Sequence, residues 1–189
     1  MYKIFGFYKF KKIKNIKLLK KNLKNFIEEE QVRGTIIISI EGINGTISFK
    51  PTKYKKVKNK ILNLLNIRKL DNENISYYKY QAFKKGKIKI KKEVVPIGMK
   101  LNKIVTKNKI EPKDWNKFIL KKETVLIDTR KNFEFKVGTF KGSINPELNN
   151  FRDFPRYFKT LKKNQNIGMF CTGGIRCENA SVYLKKKRF

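Results

Sequence analysis

The chain has 189 residues, of which 47 are Lys or Arg, 15 are Asp or Glu, two are Cys and none is His, for a formal net charge of +32. The lack of histidine excludes a Ser-His-Asp triad, a Cys-His pair, an H-E-x-x-H zinc site and any imidazole general base. Two cysteines form neither a four-sulfur metal site nor a disulfide framework, so any catalyst must come from Cys, Lys, Arg, carboxylates, hydroxyls and backbone amides.

Tyr2 to Phe10 reads as an aromatic-rich strand, and Ile16, Leu19, Leu23, Phe26 and Ile27 then recur at helical spacing up to the acidic run 28–30. Two short apolar strands follow, Thr35 to Ile40 and Thr46 to Phe49, joined by EGING, whose Asn44-Gly45 pair is expected to supply the positive dihedrals of a hairpin turn. Pro51 starts a helix with Tyr54, Val57, Ile61, Leu64 and Leu65 on one face. Ile75 to Phe83 and Ile88 to Val95 read as strands, with 84–87 as the turn. The order β-α-β-β-α-β plus one strand points to a ferredoxin-like α+β domain over 1–95. Residues 96–111 read as a linker, and an α/β unit occupies 112–189. In that unit Pro112 to Lys121 is a short helix, Thr124 to Ile127 a buried strand ending in Asp128-Thr129-Arg130, and Phe151 to Leu161 a helix. Ile167 to Phe170 is a second buried strand, and Glu178 to Lys187 a final helix.

The charge is diffuse: residues 1–100 hold 26 basic against 7 acidic side chains, and 101–189 hold 21 against 8. Forty lysines beside two alanines are also what an AT-rich coding composition writes at tolerant surface positions. Whatever its origin, such a field attracts polyanions. Lys interrupts every apolar run short of the roughly 18 residues of a membrane span. With no apolar signal core in MYKIFGFYKFKK, the expected setting is a reducing cytoplasm.

The second strand of the α/β unit runs directly into Cys171-Thr172-Gly173-Gly174-Ile175-Arg176. A strand's carboxyl end is where open α/β folds place ligands. The two glycines let successive backbone N–H groups turn inward as a nest for an anion, and the helix start adds its positive dipole end. A thiolate at Cys171 would be stabilised there and by Arg176, which lowers its pKa without histidine. The bland alternative is a buried strand-end cysteine beside a tight turn. Spacing separates the reactive readings: cysteine phosphatases place an arginine six positions after the cysteine, where this chain has Cys177, whereas an arginine at five fits a rhodanese loop.

CTGGIRCENAS (171–181), VLIDTR (125–130), Glu134, Gly138, GSINP (142–146) and EGINGTIS (41–48) together resemble the rhodanese-domain-containing tRNA uridine hydroxylases. The resemblance covers nearly the whole chain and implies a ferredoxin-like domain followed by a rhodanese domain. It further implies hydroxylation of the tRNA wobble uridine to 5-hydroxyuridine, with molecular oxygen as co-substrate, no bound cofactor or metal, and the anticodon arm of tRNA as partner. The essential cysteine of that family maps onto Cys171. Asp128 and Arg130 match a strand-end pair that braces the loop, Glu134 and Gly142 read as scaffold, and Glu41 and Asn44 are candidates for substrate contact. Cys177 is either a packed thiol or a resolving partner for an oxidised Cys171. Relatives continue beyond the helix carrying Ala180, Ser181 and Leu184 into another strand and a glycine-containing turn. Here KKKRF (185–189) follows instead, so the rhodanese-like domain reads as shortened, with an expected uncovered sheet edge. A persulfide sulfurtransferase and an inactive truncated RNA-binding module remain the alternative functions.

Overall fold

The computed structural model describes residues 1–98 and 109–188, in two compact units, Met1–Val94 and Val95–Phe189. In the first unit, β1 (Tyr2–Phe10), α1 (Ile16–Glu29), β2 (Arg33–Ser39), β3 (Gly42–Phe49), α2 (Tyr54–Leu65), β4 (Asn72–Tyr78) and β5 (Gly86–Ile90) follow in that order. They build a sheet of order β4-β1-β3-β2-β5. The three antiparallel pairings among β4, β1, β3 and β2 give the ferredoxin-like arrangement, and β5 adds to β2 in parallel as the extra strand. Alternation along each strand sends Phe5, Phe7, Ile36, Ile38, Ile43 and Ile47 to one face, where Leu19, Leu23 and Phe26 of α1 and Val57 and Ile61 of α2 cover them. Asn15 caps α1 by accepting the Leu18 N–H at 3.0 Å. Asn66 closes α2 in the left-handed region at φ 49°.

The hairpin turn is not at Asn44-Gly45. Ser39 pairs with Gly42, so the turn is Ile40-Glu41, and β3 begins four residues before the expected Thr46. Gly45 lies inside the strand for a packing reason: a Cβ there would stand 2.7 Å from Cζ of the Phe7 ring and 3.2 Å from Cγ1 of Ile36. Both neighbours are buried. Gly45→Ala is therefore expected to overpack the sheet by about 1–3 kcal/mol, read as a lowered midpoint in thermal unfolding followed by circular dichroism. An unchanged midpoint would mean that the Phe7 ring moves freely.

The second unit contains α3 (Pro112–Ile119), β6 (Thr124–Asp128), α4 (Asn132–Val137), α5 (Phe154–Phe158), β7 (Asn166–Phe170) and α6 (Ile175–Lys186). Strands β6 and β7 pair in parallel, Ile144 makes a single parallel bridge to Ile127, and among the described residues β7 has a strand on one side only. Ile127, Phe154, Phe158, Ala180, Tyr183 and Leu184 form the core, with the rings of Phe158 and Tyr183 stacked at 5.6 Å. Ile97 joins this core at 1% exposure, so that end of the expected linker is built into the second unit, while residues 99–108 lie outside the described ones.

In the first unit β4 and β5 also lie earlier than the expected 75–83 and 88–95, and β5 begins inside the expected turn 84–87. In the second unit three elements differ from expectation. The helix expected over 151–161 is a 3-10 turn at Phe151–Asp153 followed by α5 alone, because Pro155 lacks an N–H and fits only the first helical turn. Helix α4 has no counterpart in the sequence reading. The last helix starts at Ile175 rather than Glu178, so Ile175, Arg176 and Cys177 form its first turn.

Candidate active site

Strand β7 delivers Cys171 to the carboxyl end of the two-stranded sheet, and the loop 171–174 turns at once into α6. Gly174 takes φ 81°, a left-handed conformation that costs glycine nothing, and this turn aims its N–H at Cys171 Sγ, 3.0 Å away. Ile175, assigned to the active loop from the sequence, points into the protein at 8% exposure and anchors the helix instead.

The Cys171 thiol is held well below its ordinary pKa of 9.0. The largest cause is a hydrogen bond from the Cys177 thiol; burial opposes it, and the Cys177 and Gly173 backbone N–H groups and the Arg176 charge assist. Cys177 moves the other way, well above 9.0, through its bond to Cys171 and through burial. It therefore stays protonated as a donor, with the Thr129 hydroxyl 3.6 Å from its sulfur. Both cysteines are free thiols.

Arg176 is tied down as well as charged. Its Nη1 donates to Glu134 Oε2 at 3.2 Å and its Nη2 to Glu134 Oε1 at 3.4 Å, and Thr172 Oγ1 donates to the same Oε1 at 2.7 Å. Burial would raise the Glu134 pKa, but the hydrogen bonds from Arg176 and Thr172 hold it below the usual carboxylate value. Glu134 also accepts the Lys131 N–H at 3.1 Å at the start of α4. The residue read as scaffold thus couples α4 to both ends of the cysteine loop. An ion pair across 42 positions leaves no trace in spacing, so only the local capping pattern at 131–134 could have hinted at it.

Asp128 and Arg130 do form a pair. Arg130 Nε and Nη2 reach the carboxylate at 2.9 and 2.7 Å, the Arg130 N–H adds a bond at 3.0 Å, and Thr139 Oγ1 donates to Oδ2 at 3.0 Å. Arg130 Nη2 also donates to the Gly138 carbonyl at 2.5 Å. The guanidinium lies over the Phe170 ring, 5.6 Å from its centroid. A pocket of about 300 Å³ opens here, lined by Arg130, Thr139, Phe140, Phe170, Cys171 and Thr172.

Glu41 and Asn44 belong to the first unit. The Glu41 carboxylate accepts the Val94 N–H at 2.7 Å. Asn44 sits in β3 opposite Tyr8 and Ile37, half-exposed, on the face away from Ile43 and the helices. Among the described residues no group of three or more Cys, Asp or Glu could hold a metal ion, and no helix is long and apolar enough to cross a membrane.

A low-pKa cysteine at a strand end, followed by a glycine turn and a helix whose first turn carries an arginine, defines a rhodanese-type domain. Residues 111–189 match the model of the rhodanese-like domain, and residues 2–94 match that of the UPF0176 acylphosphatase like domain. Three curated proteins named tRNA uridine(34) hydroxylase are similar over nearly the whole chain. That of Pelagibacter ubique (strain HTCC1062) is 54% identical, with 100% of this chain and 63% of the relative covered. That of Prochlorococcus marinus (strain MIT 9515) is 40% identical, covering 100% and 64%. That of Wolbachia sp. subsp. Brugia malayi (strain TRS) is 37% identical, covering 97% and 69%. The chain belongs to the tRNA uridine(34) hydroxylase family. It spans 63–69% of the length of these relatives.

Proposed function

We propose that the protein hydroxylates C5 of the wobble uridine of tRNA, with Cys171 as the reacting group and molecular oxygen as co-substrate. The observation that carries this reading is a thiolate-stabilising nest opening onto a ring-lined pocket. Addition of the Cys171 thiolate to C6 of a uracil ring would make C5 electron-rich, and C5 is the carbon that receives oxygen. Loss of the C5 proton and expulsion of the thiolate then restore the ring. One oxygen atom ends on C5 and the other leaves as water, so a reductant such as a pair of small thiols, oxidised to their disulfide, must supply two electrons and two protons. The diffuse charge of +32 supports binding of the anticodon arm through phosphate neutralisation.

The direct test is mass spectrometry of nucleosides from the total tRNA of a hydroxylase-deficient host expressing this chain. Appearance of 5-hydroxyuridine and its derivatives is expected; their absence overturns the reading. Thiosulfate-to-cyanide transfer without hydroxylation would identify a persulfide sulfurtransferase instead. Affinity for tRNA is expected to fall by at least about tenfold between 50 and 200 mM salt, measured by fluorescence anisotropy. A flat response would remove the surface charge from substrate binding.

A further inference from the structure

Phe140 is 43% exposed at the pocket containing Cys171, yet the loop that carries it is held at several points. Arg130 donates to the Gly138 carbonyl, Thr139 bridges Asp128 Oδ2 and Ser143 Oγ (3.0 and 2.7 Å), and the Ser143 N–H returns to the Phe140 carbonyl at 3.1 Å. The ring itself is set at right angles to that of Phe170, with centroids 4.9 Å apart at 85°, and stands 5.5 Å from Trp115. A mobile exposed phenylalanine needs no explanation, but one fixed this firmly beside a reactive thiolate presents a prepared apolar face. The pocket volume of about 300 Å³ sits at the small end of ligand pockets. No carboxylate lines it, and among the described residues Arg130 Nη1 has no hydrogen-bond partner, which leaves a donor suited to a ring carbonyl.

We propose that Phe140 is the stacking platform for one extruded pyrimidine, which lies against its ring with Cys171 within reach of the base. This rests on the hydroxylation reading for the identity of the base. A base turned out of its strand loses stacking on its neighbours, and an aromatic face replaces that loss. Asp128 then acts as a positioning residue, because through Arg130 and Thr139 it holds the loop that carries the platform.

The test compares the full-length protein binding two anticodon stem-loops, one with uridine at the wobble position and one abasic there, by fluorescence anisotropy. The uridine form is expected to bind roughly 5- to 150-fold more tightly, the range seen for one base–aromatic stack. Phe140→Leu is expected to bring that ratio close to one, and Phe140→Tyr to preserve it. The rate of Cys171 alkylation should stay unchanged in both, which reports an intact loop independently of the substrate. The proposal is overturned if Phe140→Leu keeps the ratio with unchanged alkylation, or if the wild-type protein binds both stem-loops alike. Should Phe140→Leu also disturb alkylation, loss of the ratio in Phe140→Ala with retention in Phe140→Trp sustains the proposal, and any other pattern overturns it. If the ratio depends on Phe140 while no 5-hydroxyuridine forms, the hydroxylation reading fails and the stacking site stands.

Discussion

Cys171→Ser is expected to eliminate 5-hydroxyuridine formation, a loss on the order of 10³-fold or more, while leaving affinity for tRNA and thermal stability near those of the parent. A serine hydroxyl fits the same space and accepts the Gly174 N–H, but it does not ionise near neutral pH, so the nest has no anion to hold. The pH dependence of alkylation by iodoacetamide gives an independent measure. Because the folded protein holds the Cys171 pKa well below 9.0, the rate should reach its plateau at a lower pH than that of an ordinary cysteine thiol and fall on acidification. Cys177→Ala removes the largest stabilising donor, so the thiolate should be favoured less, with the midpoint moving up and the neutral-pH rate moving down. A midpoint near 9.0 in the wild-type protein, or hydroxylation by Cys171→Ser, would remove Cys171 from the chemistry.

The cysteine loop was legible because everything it needs is local: a short apolar strand, a cysteine, two glycines and an arginine within ten residues, 167–176. The same is true of β1, α1 and α2, whose apolar periods of two and 3.6 match the faces they bury. What stayed hidden depends on partners far apart in the chain. Glu134 gains its role from Arg176 and Thr172, and Phe140 from Phe170 and Trp115. In β3, Asn44-Gly45 imitated a turn, but Gly45 is small because the Phe7 ring occupies its side-chain space, a tertiary demand that outweighs local turn chemistry. The phase of Phe151 to Leu161 was helical, yet Pro155 limits where a helix can begin.

The largest expected loss of stability lies at Asp128, which is 1% exposed and accepts bonds from Arg130, its own loop backbone and Thr139. Asp128→Ala leaves a partly buried guanidinium and a hydroxyl without their acceptor, and removing one partner of a buried pair costs about 3–5 kcal/mol. Arg130 keeps the Gly138 carbonyl and some solvent, so a value near about 3 kcal/mol is expected, or roughly 10–25 °C in the melting midpoint of a unit this size. Asp128→Asn keeps an acceptor and should lose less. The pH dependence has a definite sign. Burial would raise the Asp128 pKa, but the bonds from Arg130 and Thr139 outweigh it and hold the carboxyl below its ordinary 3.8. Its contribution is therefore complete above about 3.8 and lost as pH falls through the lower folded-state value. Wild-type stability should drop across that acid window more steeply than that of Asp128→Ala, so the two melting curves converge at low pH. Parallel curves, or an Asp128→Ala variant melting within about a degree of the parent, would show that the pair does not hold the Phe140 loop in place.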